Sequence, residues 1–295
     1  MKKILLLFIG PALFAATPQY QSPDITVPAA SADEAVLKQF SLAKADDYLE
    51  KGALAWTRKR GCVTCHTTGT YMQIRPELTS VLGEPTEEVR ELLTDELAEL
   101  QKMKHADLLK KTKPAEIIYT AVGLAQWDRH VTGKLSTETQ AALELMFRIQ
   151  EKSGTWHSVV LWPPLESSAF QEATVAAMAV ASAPQWRGNL KDEKLKAGIG
   201  LLQQYLRETK PPHDYGSVLL LWAAARMPDL LQKDRRQKLI DTLWTHQRED
   251  GGWSIRTFST PEKWGAGNRA EKLRAEPEFK NPPSDGHMTG LAVLV

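Results

Sequence analysis

The sequence predicts an all-α protein, and three observations support this fold class. Apolar residues recur at helical spacing along most of the chain, and from Pro114 onward no segment has the alternation of a strand. Two matching helix–turn segments in the second half indicate repeated helical hairpins. The composition, with 42% hydrophobic and 25% charged residues, is that of a folded globular chain.

The N-terminus has the pattern of a secretory signal peptide over residues 1–16. Lys2 and Lys3 precede an apolar run that is broken by Gly10 and is too short to span a bilayer. This predicts export to the periplasm or an equivalent compartment; the alternative is an uncleaved membrane anchor. Residues 17–32, rich in Pro, Ser, Thr and Ala, are predicted to form an extended leader or linker.

Residues 33–113 are predicted to be a helical region with two long helices. The first covers about 33–60, where apolar residues recur at helical spacing, and Gly61 ends it. The second covers about 86–113, with acidic residues early and basic residues late, an order that suits the helix dipole. From 114 onward the predicted helices lie near 115–130, 136–151, 168–183, 192–208, 215–226, 234–248 and 284–295.

The motif Cys62-x-x-Cys65-His66 contains the only two cysteines of the chain. It resembles the haem-attachment site of c-type cytochromes. That resemblance implies one covalent haem c, with thioether bonds to Cys62 and Cys65 and with His66 as the proximal iron ligand. A zinc site or a redox dithiol are the alternatives. Zinc needs a fourth ligand, and a thioredoxin-like dithiol follows a strand, whereas a helix is predicted here.

An electron-transfer haem usually has a second axial ligand, often Met or His. Met103 is the first candidate, because it lies at a usual distance along the chain from His66. His105, His130 and Met72 are alternatives, and an open sixth position is a further one.

Two stretches, 147–156 and 243–253, share one pattern: Gln, three residues, Gly, one residue, Trp. Glycine after a helix permits a left-handed exit, and tryptophan buries a large flat surface in the turn. The residues concerned are Gln150, Gly154, Trp156, Gln247, Gly251 and Trp253.

This pattern resembles the QW repeat of terpene cyclases and prenyltransferases. The resemblance implies an α/α-toroid of helical hairpins over residues 114–295. The chain stops inside an apolar helix, so the toroid is expected to be incomplete and truncated at its C-terminus. Residues 51–56 read as the helix part of a further copy. The haem motif would then occupy the turn of the first repeat; the alternative is a small independent cytochrome-like region at 33–113.

Four acids open predicted apolar helices: Glu116, Glu172, Asp214 and Asp285. Acids in a first helical turn commonly bind exposed N–H groups and favour the dipole. The second interpretation is that they ring one mouth of the toroid and line a shared cavity.

The sequence contains no Asp-x-Asp-Asp motif of squalene cyclases, and both cysteines belong to the haem motif. Fold resemblance therefore carries no enzyme activity to this chain. The first hypothesis is an exported haem c protein in electron transfer or redox sensing, with a redox partner protein or a small-molecule electron donor or acceptor. The alternatives are a terpene-cyclase-like enzyme or isoprenoid-binding toroid, and a repeat scaffold for a protein partner. The net charge of +1 gives no electrostatic basis for a nucleic-acid partner.

Overall fold

The chain folds as a predominantly helical protein, and the all-α prediction is confirmed. The computed structural model describes residues 18–29, 38–61, 63, 66–158, 168–264, 269–276 and 280–295. Its helices are α1 (Leu42–Arg60), α2 (Thr68–Ile74), α3 (Thr79–Leu82), α4 (Glu87–Lys102), α5 (His105–Leu108), α6 (Lys113–Trp127), α7 (Thr137–Arg148), α8 (Ala169–Ser182), α9 (Trp186–Asn189), α10 (Glu193–Glu208), α11 (Asp214–Arg226), α12 (Lys233–Thr245), α13 (Arg269–Ala275) and α14 (Gly286–Leu294). Short 3-10 turns cover Arg75–Leu78, Pro228–Leu230, Ile255–Thr257 and Pro261–Lys263, and a π turn covers Asp128–Thr132.

The segment expected to be an extended leader instead contains a small hairpin. Strand β1 (Tyr20–Gln21) pairs antiparallel with β2 (Thr26–Val27), and both strands contact α1. Val27 is buried in this contact. The turn between the strands contains Pro and Asp, residues that favour tight turns, but two-residue strands are too short to give a pattern in the sequence.

The second long helix ends earlier than the sequence predicts. Its core-facing positions are Val89, Leu93, Leu97 and Leu100, and the next position on that face would be Lys104. The backbone becomes extended at residues 103–104, and the chain turns so that the next apolar residues can be buried. The prediction missed this break because it rested on the charge pattern, and charged residues continue on both sides of the break.

The longer helices form two rows. The inner row consists of α2, α6, α8, α11 and α14, each of which contacts the next. The outer row consists of α1, α4, α7, α10 and α12, which pack against inner helices. Burial explains the division: every residue of α6 from Pro114 to Trp127 is buried, as expected for a helix that is apolar on all its faces.

The two repeat turns have the same geometry. The Gln150 Nε2 donates to the Gly154 carbonyl at 3.1 Å, and the Gln247 Nε2 donates to the Gly251 carbonyl at 2.9 Å. The two glycines have φ values of +89° and +86°. The indole N–H of each tryptophan donates to a carbonyl ten residues earlier, at 2.8 and 2.9 Å. Gln150 also donates to the Gly198 carbonyl at 3.0 Å, which joins the outer helices α7 and α10.

One hydrophobic core extends across residue 113. It includes Met72 of α2, Leu93 of α4 and the inner helices up to α11. These parts meet at Gly123, where an added Cβ would lie 2.8 Å from Leu93 Cδ1 and 3.0 Å from Met72 Cβ. The N-terminal helices and the repeat helices are therefore packed together.

Within the described ranges, no helix is long and apolar enough to cross a membrane. The predicted signal peptide lies outside these ranges.

Candidate functional site

Helices α1 and α2 form an antiparallel hairpin, and the Cys62-x-x-Cys65-His66 motif lies between them in the sequence. Gly61 ends α1 in the left-handed region, with φ at +65°, and its N–H donates to the Thr57 carbonyl at 2.7 Å. Thr68 at the start of α2 contacts the Thr57 hydroxyl and donates to the Ala53 carbonyl at 3.1 Å. This glycine follows its helix directly, whereas the repeat glycines lie six residues beyond theirs, so the two kinds of turn differ.

An apolar cavity of ≈ 320 Å³ lies along this hairpin and beside His66. The β-hairpin borders it through Gln19 and Tyr20. Tyr48, Leu49 and Ile74 line the cavity and are themselves exposed, so apolar surface surrounds it. Its lining comprises Gln19, Tyr20, Leu42, Ala45, Asp46, Tyr48, Leu49, Gly52, Ala53, His66, Thr67, Thr70, Tyr71, Ile74, Arg75, Leu78 and Leu82.

His66 reaches the cavity from the motif loop, where Trp56 packs against it. The two ring centroids are 5.0 Å apart, with the rings at 75°. Trp56 is held in turn by Tyr20, at 5.6 Å, and by the Arg60 guanidinium, at 5.1 Å. The Trp56 indole N–H is buried without a hydrogen-bond partner among the described residues. Cys62 and Cys65 lie outside the described residues, while Val63 between them is fully buried.

No known protein family, curated protein or solved structure matches this chain.

A polar network that the sequence analysis missed lies on the cavity wall. The Arg75 Nε donates to Asp46 Oδ1 at 2.7 Å, and its Nη1 donates to the Gly83 carbonyl at 3.0 Å. The Tyr71 hydroxyl donates to Glu50 Oε2 at 2.9 Å and lies 3.2 Å from Asp46 Oδ1. Burial, reinforced by the Glu50 carboxylate, raises the pKa of Tyr71 well above its ordinary value, so this phenol keeps its proton.

The sequence holds a partial signal for this network. Asp46 and Glu50 are four residues apart on α1, and Tyr71 and Arg75 are four apart at the end of α2, so each pair occupies one helix face. Only the hairpin brings the two faces together, across 21 to 29 residues of sequence.

The structure does not bring the candidate sixth ligands to the cavity. Met103 caps the far end of α4, whose first turn is paired with Arg58 near the motif through Glu88. Fourteen residues of α4 lie between Glu88 and Met103, a distance of about 20 Å. Met72 is fully buried at the contact of α2 with α6. The cavity lining includes neither of these residues, and neither of the other candidates, His105 and His130.

The four acids lie at the starts of inner helices. Glu116 is buried and accepts hydrogen bonds from Lys113 and, at 2.7 Å, from the Thr112 hydroxyl. Asp214 lies 2.9 Å from His246 Nε2. Asp285 is the N-cap of α14 and accepts from the Met288 and Ile255 amides at 2.7 and 2.6 Å. Glu172, on the first turn of α8, is buried. None of the four lines the cavity beside His66.

The histidines near these helix starts also have structural contacts. His213 Nδ1 accepts from the Gly216 amide at 3.0 Å, and burial lowers the pKa of His213 to about 4, so the ring is neutral at pH 7. His287 Nε2 lies 3.2 Å from the buried Tyr215 hydroxyl. His157 lies at a separate polar cavity, close to the end of α7.

The cavity beside His66 has a lining suited to an apolar ring ligand. Its wall is mainly aliphatic and aromatic, and a single imidazole from the motif faces it. Haem takes its axial ligands one at a time, so no cluster of protein ligands is required. In the described part of the chain there is no group of three or more His, Cys, Asp or Glu side chains that could hold a bare metal ion. The apolar wall and the single imidazole of the described lining fit a porphyrin.

Proposed function

We propose that this chain is an exported haem c protein that carries electrons through a haem in the cavity between α1, α2 and the β-hairpin. The observation that supports the proposal is the position of the cavity: it lies beside His66, along the hairpin whose two helices flank the Cys-x-x-Cys-His motif in the sequence. When bound, haem iron supplies one-electron redox chemistry by cycling between its ferrous and ferric states. Its partner would be a redox protein or a small-molecule electron donor or acceptor.

The residues of the cavity would bind and orient the porphyrin. Leu42, Leu49, Leu78 and Leu82 supply apolar contact and keep water away from the ring. Trp56 contacts the edge of the His66 ring and would limit the orientations of the imidazole at the cavity. The exposed apolar side chains around the cavity are typical of a surface that a ligand or partner covers.

The continuous core supports one of the two hypotheses about domain organisation. α2 is the first member of the inner helix row and packs against α6, as later inner helices pack against one another. We therefore propose that the haem site belongs to the first hairpin of a toroid-like array and is not a separate small domain. The cyclase-like and scaffold hypotheses stay predictions. The acids at the starts of the other inner helices do not line the apolar cavity.

Expression in a host with c-type haem maturation tests the proposal. The mature protein should retain haem absorption after acid–acetone extraction and give the pyridine haemochrome spectrum of two thioether bonds. The C62A/C65A variant should lose extraction-resistant haem completely. H66A should disturb the axial-ligand spectrum, whereas H105A, which removes a histidine remote from the cavity, should leave it unchanged.

Met103→Leu adds a check on the iron coordination. Because Met103 does not line the cavity beside His66, the visible spectrum should not change. The proposed function would be refuted if the unmodified protein carried no extraction-resistant haem, or if C62A/C65A still carried it.

A further inference from the structure

The cavity has two chemically different ends. His66 precedes α2 and Arg75 follows it, so the seven residues of this helix, about 10 Å of rise, separate the motif end from the Arg75 end. At the first end lie the motif loop and Trp56. At the second lies the network of Asp46, Tyr71 and Arg75.

Arg75 is held rigidly by this network. It is only 5% exposed, although it lines the cavity. Its Nε and Nη1 groups are used by Asp46 and by the Gly83 carbonyl. Its Nη2 group has no hydrogen-bond partner in the part of the chain that the structure describes. A guanidinium oriented in this way can accept a second carboxylate, and the apolar surroundings strengthen such a pair.

The nearby carboxylates leave the Arg75 Nη2 group available for a second carboxylate. Asp46 is paired with Arg75 itself, and Glu50 accepts the hydrogen bond of the Tyr71 hydroxyl. Asp46 therefore has the role of a positioning residue, since it fixes the direction of the guanidinium.

We propose that Arg75 is a carboxylate-binding residue and that, in the haem protein proposed above, it binds a haem propionate. A c-type haem is attached through its two vinyl groups, and its propionates leave the opposite edge of the porphyrin. In the sequence the cysteines precede α2, so the propionate edge of an attached haem would be directed towards the Arg75 end. This inference rests on the proposed function and adds to it the group that fixes the rotation of the ring in its plane.

The test compares two probes that differ only in their carboxylates, haemin and haemin dimethyl ester. The protein is the mature chain with C62A/C65A, so that binding is non-covalent and reversible. This protein keeps both Asp46 and Arg75 and should bind haemin about tenfold or more tightly than the ester. D46N/R75M removes the ion pair without leaving a buried unpaired carboxylate, and should bind the two probes with equal Kd.

The Kd for the ester is the internal control, because it reports the integrity of the cavity in every variant. If D46N/R75M keeps the preference for haemin, or loses affinity for both probes equally, the role of Arg75 is refuted. In that case, extraction-resistant haem in the unmodified protein would leave the proposed function standing. A chain that binds neither probe and carries no covalent haem refutes both.

Discussion

Glu96 and Glu116 lie together against Lys113, and burial gives Glu96 an unusual protonation. Lys113 Nζ is 3.7 Å from Glu96 Oε1 and also bonds Glu116. Burial, with a further contribution from the Glu116 charge, raises the pKa of Glu96 from its ordinary 4.5 to about 7. Burial therefore opposes the ionised form of Glu96, although Lys113 lies beside it.

The pH dependence of stability should report this residue. The folded-state pKa is raised, so between pH 4.5 and 7 the folded chain holds a proton that the unfolded chain has released. Stability should therefore fall as pH rises through this window, by at most about 3 kcal/mol. E96Q should remove this part of the slope in urea unfolding measured from pH 4 to 8.

Glu99 supplies the control on the same helix. It is exposed and paired with Lys102, so E99Q makes the same charge change without affecting a buried site. Equal slopes for unmodified protein, E96Q and E99Q would show that Glu96 titrates normally.

At the scale of helices and turns, the two repeat turns allow a matched comparison. Gly154 and Gly251 have nearly the same positive φ, but their surroundings differ. A Cβ on Gly154 would overlap the Leu201 carbonyl, whereas a Cβ on Gly251 would meet nothing within 4 Å.

Gly154→Ala should therefore cost more stability than Gly251→Ala. The second substitution carries only the left-handed backbone cost of about 1–2 kcal/mol. The first adds displacement of α10 and should exceed it by about 2 kcal/mol or more. Chemical denaturation of both variants measures the difference; equal costs would mean that the Gly154 turn is not fixed against α10.

The sequence predicted helices better than it predicted their ends or the site. The seven predicted helices after residue 114 correspond to α6, α7, α8, α10, α11, α12 and α14, because each has a marked apolar face or is apolar throughout. The predicted end of α4, near residue 113, was wrong because charged residues continue past Lys102, whereas the apolar face stops at Leu100. The pairing of Asp46 with Arg75 depends on the α1–α2 packing, which no local pattern encodes.

At the scale of the whole molecule, Gly123 is the point where the N-terminal helices meet the inner row. Gly123→Ala should cost about 1–3 kcal/mol, because the new methyl group would press on Leu93 and Met72. Gly200→Ala on α10, where nothing lies within 4 Å, should instead stabilise by about 0.5–1 kcal/mol.

The same substitution tests whether the core unfolds as a unit. In G123A, the unfolding transitions followed by circular dichroism and by the absorbance of the proposed haem should move to lower denaturant together, because both halves share one core. Haem absorbance that changes in a separate transition would contradict this cooperativity.

Helix α2 contacts the cavity on one side and the inner helices α6 and α8 on the other. Thr70, Tyr71 and Ile74 face the cavity. On the inner side, the Gln126 amide donates to the Gln73 carbonyl at 2.9 Å, and Gln73 reaches Met178 of α8. Because α2 has only seven residues and makes contacts on both sides, a shift on one side should move the whole helix. A ligand that displaces α2 on filling the cavity should therefore also change the spacing between α2 and the inner helices α6 and α8.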